Sequence, residues 1–135
     1  MGKLPAAYER FQRTYRGVWE AYDRLGATVH QGGPIEPKTR ELVKLGMAIG
    51  GRLEGAVRSH AGRALEAGAT RGEIEHVVAL AVTTVGFPTA VAAFTWVEDI
   101  LKRGGRPKRR KPSERQMKTR RRSGRRLARR RAPAG

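Results

Sequence analysis

From Lys102 to Gly135 the chain has almost nothing with which to build a core. The stretch KRGGRPKRRKPSERQMKTRRRSGRRLARRRAPAG holds 17 Lys and Arg, a single acid (Glu114), and only Met117 and Leu127 as large apolar side chains. Its charges repel one another, and it buries too little surface to offset the entropy of ordering. Residues 103–135 are therefore expected to form a disordered basic tail, and whatever folds must come from the first three quarters of the chain. There the balance is different: residues 1–101 carry 12 Lys and Arg against 11 Asp and Glu. The formal charge of +17 is a property of the tail, not of the folding part.

The folding part reads as helix throughout. From about Leu4 to Leu25, Tyr8, Phe11, Tyr15, Val18, Tyr22 and Leu25 recur at spacings of three and four with Trp19 beside them. That is one stripe of an amphipathic helix, suited to a core or a subunit interface. HQGGPIEP is a loop, in which His30 is expected to lie. Pro37 suits the first turn of a second helix, running to about Ile49 with Leu42, Leu45 and Met47 as apolar positions. A third helix, LEGAVRSHAGRALEAG, is stopped by Gly68. Thr70-Arg71-Gly72-Glu73 has the form of a capping box opening a fourth, and GFP at 86–88 separates it from a fifth that runs to about Lys102. No segment alternates with period two. The expected fold is all-α: an N-terminal amphipathic helix and loop over 1–36, a helical core over 37–102, and the tail over 103–135, with about five helices in all.

The chain has no cysteine, which excludes disulfides, thiolate metal sites and thiol redox chemistry run by this chain alone. No apolar run reaches the roughly 18–20 residues that cross a bilayer, and MGKLPAAYERF has no signal-peptide apolar stretch, so a cytoplasmic location is expected. His30 and His76 have no ligand set around them, and the glycine pairs lack phosphate-loop spacing; neither a metal nor a cofactor is expected.

The stretch KTRELVKLGMAIGGRLEGAVRSHAGRALEAGATRGEIEHVVALAVTTVGFPTAVAAF resembles the carboxymuconolactone decarboxylase family, which includes the AhpD-like alkylhydroperoxidases. RELVKL, the histidine-bearing helix followed by AGAT and EI, and VGFP.A..AF come in the family's order, over about residues 37–101. The resemblance implies an AhpD-like fold, assembly as a trimer or hexamer, and a site in which Glu41 and His60 stand on the family's Glu and His. The two cysteine positions of the peroxidase branch would be Leu53 and Ala56, which can supply neither a nucleophile nor a resolving thiol. Thiol peroxidase activity is therefore not expected; the decarboxylase branch does not depend on that pair.

His60 shares a helical face with Leu53, Ala56, Val57 and Ala64, and that face should point inward. A lone histidine on such a face more often packs than works. Glu41, on the apolar side of its own helix, calls for a partner, and an imidazole beside it gains a fixed tautomer and a stabilised imidazolium, hence a proton donor. Loss of CO2 from a lactone acid needs no cofactor if the carbanion is delocalised and a proton is delivered, but it needs a cation for the carboxylates. Arg40, Arg52 and Arg58 are the candidates. In the tail Lys108, Arg109, Arg110, Lys111, Arg120, Arg121, Arg122, Arg125, Arg126, Arg129, Arg130 and Arg131 are expected to bind nucleic acid or another polyanion. With no aromatic among them to stack on bases, that binding should ignore sequence. Two functions stay open: a cofactor-free lyase on a small carboxylated substrate, and a catalytically silent helical oligomer acting as a nucleic-acid-binding or scaffold protein.

Overall fold

The computed structural model describes residues 5–104, and every secondary-structure element among them is an α-helix: α1 (Ala6–Thr14), α2 (Arg16–Gln31), α3 (Pro37–Gly50), α4 (Glu54–Glu66), α5 (Arg71–Ala81) and α6 (Phe87–Arg103). The basic stretch expected to be a tail lies, beyond Gly104, outside the described residues.

Helices α3–α6 form a four-helix core, with α3 on α4 and α5, and α6 on α4 and α5. Its centre is Leu45 and Ile49 of α3, Val57, Ala61 and Ala64 of α4, Ile74 and Val78 of α5, and Ala93 and Val97 of α6. The core alanines on α4 and α6 carry only a methyl group, so those two helices can approach closely. Local chemistry sets the ends. Pro37 occupies the first turn of α3. Thr70 and Glu73 close the capping box on α5, with Glu73 N donating to Thr70 Oγ1 at 3.1 Å and Thr70 N to Glu73 Oε2 at 2.8 Å. Helix α4 stops in a Schellman turn at Gly68 (φ 96°), where Ala69 N bonds to Ala64 O and Gly68 N to Leu65 O. Helix α3 ends the same way, but with Arg52 at φ 52° in the position that favours glycine.

Two expectations are corrected. The N-terminal stripe is not one helix but two, broken at Tyr15 (φ −119°, ψ 50°), which makes six helices in place of about five. In a continuous helix Tyr8 and Trp19 would be about 16 Å apart along the axis. The break folds the chain so that their rings meet edge to face at 5.2 Å. His30 is not in a loop: nothing after Leu25 stops the helix before Gly32, and α2 carries His30 in its last turn.

The stripe is not core within this chain. Neither α1 nor α2 contains a buried residue; they pack on each other, and their hydrogen bonds to the core are those of His30 at the end of α2. Phe11, Tyr15, Val18, Tyr22, Leu25 and Val29 are all exposed, and the core presents a second set of exposed apolar side chains in Met47, Leu53, Phe87, Val91 and Phe94. No described helix is long and apolar enough to cross a membrane.

Candidate functional site

Glu41 sits in the second turn of α3 and His60 in the middle of α4, where these two helices face each other. Their side chains meet: His60 Nδ1 lies 2.8 Å from Glu41 Oε2, with the carboxylate side chain 6% and the imidazole 16% exposed. A carboxylate can only accept, so Nδ1 carries the hydrogen and Nε2 becomes the ring atom that exchanges a proton with a ligand. Glu41 is the buried carboxylate of the described chain, and His60 satisfies it.

The face around His60 points inward only in part. Val57 and Ala64 are buried and Ala56 is half-buried, but Leu53 is exposed, because the turn through Arg52 leaves it at the cap of α4 instead of inside the helix. The two positions of the peroxidase cysteines thus lie one at the helix start and one in its first turn, and neither holds a nucleophile.

Of the three arginines expected to hold a carboxylate, the structure brings one to the pair. Arg40 Nε lies 3.8 Å from Glu41 Oε1, and its Nη1 donates to the His30 carbonyl at 3.3 Å. The Nε itself is buried and has no hydrogen-bond partner among the described residues. Arg58 is turned away. Two residues from His60 is about 200° round a helix, and there it bonds Glu54 at 3.1 Å and Asp99 at 2.8 Å, tying α4 to α6. The hydrogen bond to Asp99, ahead of the one to Glu54, holds its guanidinium charged more firmly than usual. Arg52 reaches Thr89 Oγ1 at 3.3 Å at the start of α6. The tail residues lie outside the described part.

Two residues not singled out as site groups in the sequence stand beside Arg40. Lys44, one turn further along α3, places Nζ 2.9 Å from His30 Nε2. An ammonium can only donate, so the imidazole accepts on Nε2 and is neutral there. Its pKa is pushed below the usual 6.5, first by removal from water and then by the charges of Lys44 and Arg40, with Arg63 of α4 acting the same way and Glu41 opposing. The Arg40–Lys44 spacing of four is the signal the sequence carries for this cluster; the arrival of α2 above it has no local signal. Among the described residues no group of three His, Cys, Asp or Glu could hold a metal ion.

Comparison with known proteins agrees with this architecture. Residues 5–99 match the model of the carboxymuconolactone decarboxylase family. An uncharacterized protein of Haemophilus influenzae is 37% identical over 49 residues, which is 36% of this chain and 43% of that protein, so the match spans less than half of the relative's length. The crystal structure of a carboxymuconolactone decarboxylase family protein from Legionella pneumophila, in its apo form, superposes with a TM-score of 0.63 over 71% of this chain and 86% of that one. At 21% identity that likeness establishes the fold.

Proposed function

This chain belongs to the carboxymuconolactone decarboxylase family, and we propose that it is a cysteine-independent, cofactor-free lyase acting on a small carboxylated substrate through Glu41 and His60. The observation that carries the reading is the 2.8 Å contact between the two side chains across α3 and α4. In the proposed step the substrate's carbon–carbon bond to its carboxylate breaks and CO2 leaves. The electron pair delocalises into the conjugated lactone carbonyl, and the carbanion takes a proton from His60 Nε2. Glu41 keeps the imidazole oriented through Nδ1 and offsets the charge of the imidazolium before transfer. Arg40 is the cation nearest the pair and pairs with a substrate carboxylate. The test is turnover: the purified full chain, offered small γ-lactone carboxylates, releases CO2, and Glu41→Gln and His60→Gln each lose that activity. Release that is indifferent to both changes refutes the assignment.

Assembly and the tail complete the reading. The exposed stripe on α1 and α2 supports self-association, as a trimer or hexamer. The charge of residues 102–135 supports sequence-independent binding of nucleic acid. Should the pair prove silent, these two features are what remains, and the protein is then a helical oligomer that presents multivalent basic arms. Engagement of about six tail cations on duplex DNA gives a slope of about −5 in log K against log salt. Binding that survives removal of residues 105–135, or that is insensitive to salt, refutes that part.

A further inference from the structure

Beside the Glu41–His60 pair the charges do not balance. Arg40 and Lys44 bring two cations to the junction of α2 and α3, each in contact with His30 at 3.3 and 2.9 Å, and Arg63 of α4 adds a third positive charge acting on the same imidazole. Glu41 is the acid there, and His60 already occupies one of its oxygens. Arg40 Nε is 3.8 Å from the other, beyond hydrogen-bond range, and is buried without an acceptor. Lys44 has no acidic partner among the described residues; its ammonium donates instead to a neutral imidazole, leaving two of its three donors for something else. The end of α2 contributes about half a negative charge from its terminal carbonyls, one of which accepts from Arg40 Nη1. Three cations, one carboxylate and half a helix dipole leave an excess of between one and two positive charges. The other half-buried cations among the described residues are paired with acids, Arg58 with Asp99 and Lys38 with Glu73.

We propose that Arg40, Lys44 and Arg63, with His30 positioning the Lys44 ammonium, form a binding site for one compact oxyanion next to the Glu41–His60 pair. The ligand chemistry is a singly charged carboxylate or phosphate group: one negative charge completes the balance, and two would exceed it. Arg40 and Lys44 lie one turn apart on the same face of α3 and point to a common place. Arg63, exposed one turn after His60 on α4, is near enough to act on His30 by its charge. The half-buried Arg40 and Lys44 then hold the anion where the cations are least screened by water. That this anion is the carboxylate of a substrate rests on the lyase reading; that the site binds an oxyanion does not.

The experiment is a titration of the full chain, isotopically labelled in histidine, first with acetate and then with inorganic phosphate at constant ionic strength, read by NMR at His30, His60 and His76. The tail binds anions as well, but His76 is on the exposed face of α5 and reports that background. The His30 signals are expected to shift saturably while His76 stays still. The His30 pKa is expected to rise on binding, because a bound anion offsets the cations that now lower it. Lys44→Met and Arg63→Gln should each weaken binding, Lys44→Met by about tenfold through loss of a charge-assisted hydrogen bond. Arg63 is exposed and its replacement leaves the core untouched, so it keeps the test meaningful should Lys44→Met unfold. Saturation by acetate alone assigns a carboxylate site; saturation by phosphate alone assigns a phosphate site. A His30 response that is linear, parallel to that of His76, or unchanged in Arg63→Gln and Lys44→Met overturns the proposal. A silent Glu41–His60 pair with saturable binding would remove the lyase and keep the anion site, and turnover without anion binding would do the reverse.

Discussion

Glu41 and His60, nineteen positions apart, are joined by a 2.8 Å contact between Oε2 and Nδ1 across the α3–α4 interface. The carboxylate is almost fully buried, so the imidazole is what makes its burial tolerable. Glu41→Ala should therefore destabilise the fold by about 1–3 kcal/mol, the cost of leaving a buried polar group unsatisfied. Chemical denaturation of both proteins measures it. In the same variant the Nδ1 proton of His60 should lose its hydrogen-bonded position in the nitrogen NMR spectrum of the ring. An unchanged ring tautomer together with unchanged stability would contradict the pairing.

His30 should titrate below 6.5, and Lys44→Met should return it part of the way, since removal from water is the larger cause and Lys44 the next. The sign for stability follows. A histidine whose folded pKa is lowered binds protons more readily in the unfolded chain, so its contribution is complete above about 6.5 and fades as the pH falls towards the folded value. Both hydrogen bonds linking the α1–α2 pair to the core run through this residue. Mild acidification should accordingly loosen α2 from α3 before the core unfolds. Faster amide exchange in α2 than in α3 below the His30 pKa is the expected result; simultaneous loss of both is the contrary one.

The core was legible because its helices carry their own punctuation: Pro37, Gly68, and the Thr70–Glu73 box stand where the helices start and stop. The Glu41–His60 contact was legible from each residue's place on the apolar side of its own helix together with the resemblance to a family whose Glu and His share one site. The break at Tyr15 was not, because the apolar spacing runs through it without interruption and only the Tyr8–Trp19 ring contact requires it. Nor was the exposure of Leu53, where a left-handed arginine, Arg52, ends α3 and shifts the next helix start. The basic cluster is not legible in the sequence because it depends on the end of α2 arriving beside Arg40 and Lys44, a tertiary event with no local signal.

The capping box on α5 predicts a further pH dependence. The Thr70 amide, ahead of the Lys38 ammonium, holds the Glu73 carboxyl below its usual value of 4.5. A depressed carboxyl stabilises the fold above its unfolded pKa and loses that contribution as the pH falls through the folded value. Glu73→Gln should lower the melting temperature at neutral pH, and the gap from the parent should close in acid. Thr70→Ala, which removes the cap oxygen, should cost about 1 kcal/mol. A gap that persists in strong acid would mean that Glu73 acts by packing.

Six large apolar side chains exposed on α1, α2 and the Tyr15 break between them are more than a lone chain of this size is expected to leave in water. Sedimentation of the full chain should give a species larger than the 14.9 kDa monomer, and Val18→Glu with Tyr22→Glu should shift it to lower mass without loss of helix content. A parent protein that sediments as a monomer at micromolar concentration contradicts the interface.

The most direct measurement of the central claim, that Glu41 and His60 deliver a proton to carbon, is the fate of hydrogen when a γ-lactone carboxylate is turned over in heavy water. The account predicts CO2 release matched by one deuterium in the product, at the carbon that lost its carboxylate. It also predicts that CO2 and deuterium disappear together in His60→Gln and fall steeply in Glu41→Gln, with both variants still folded. Decarboxylation that proceeds at the parental rate in folded His60→Gln would contradict it, and so would the failure of the parent protein to release CO2 from any such lactone.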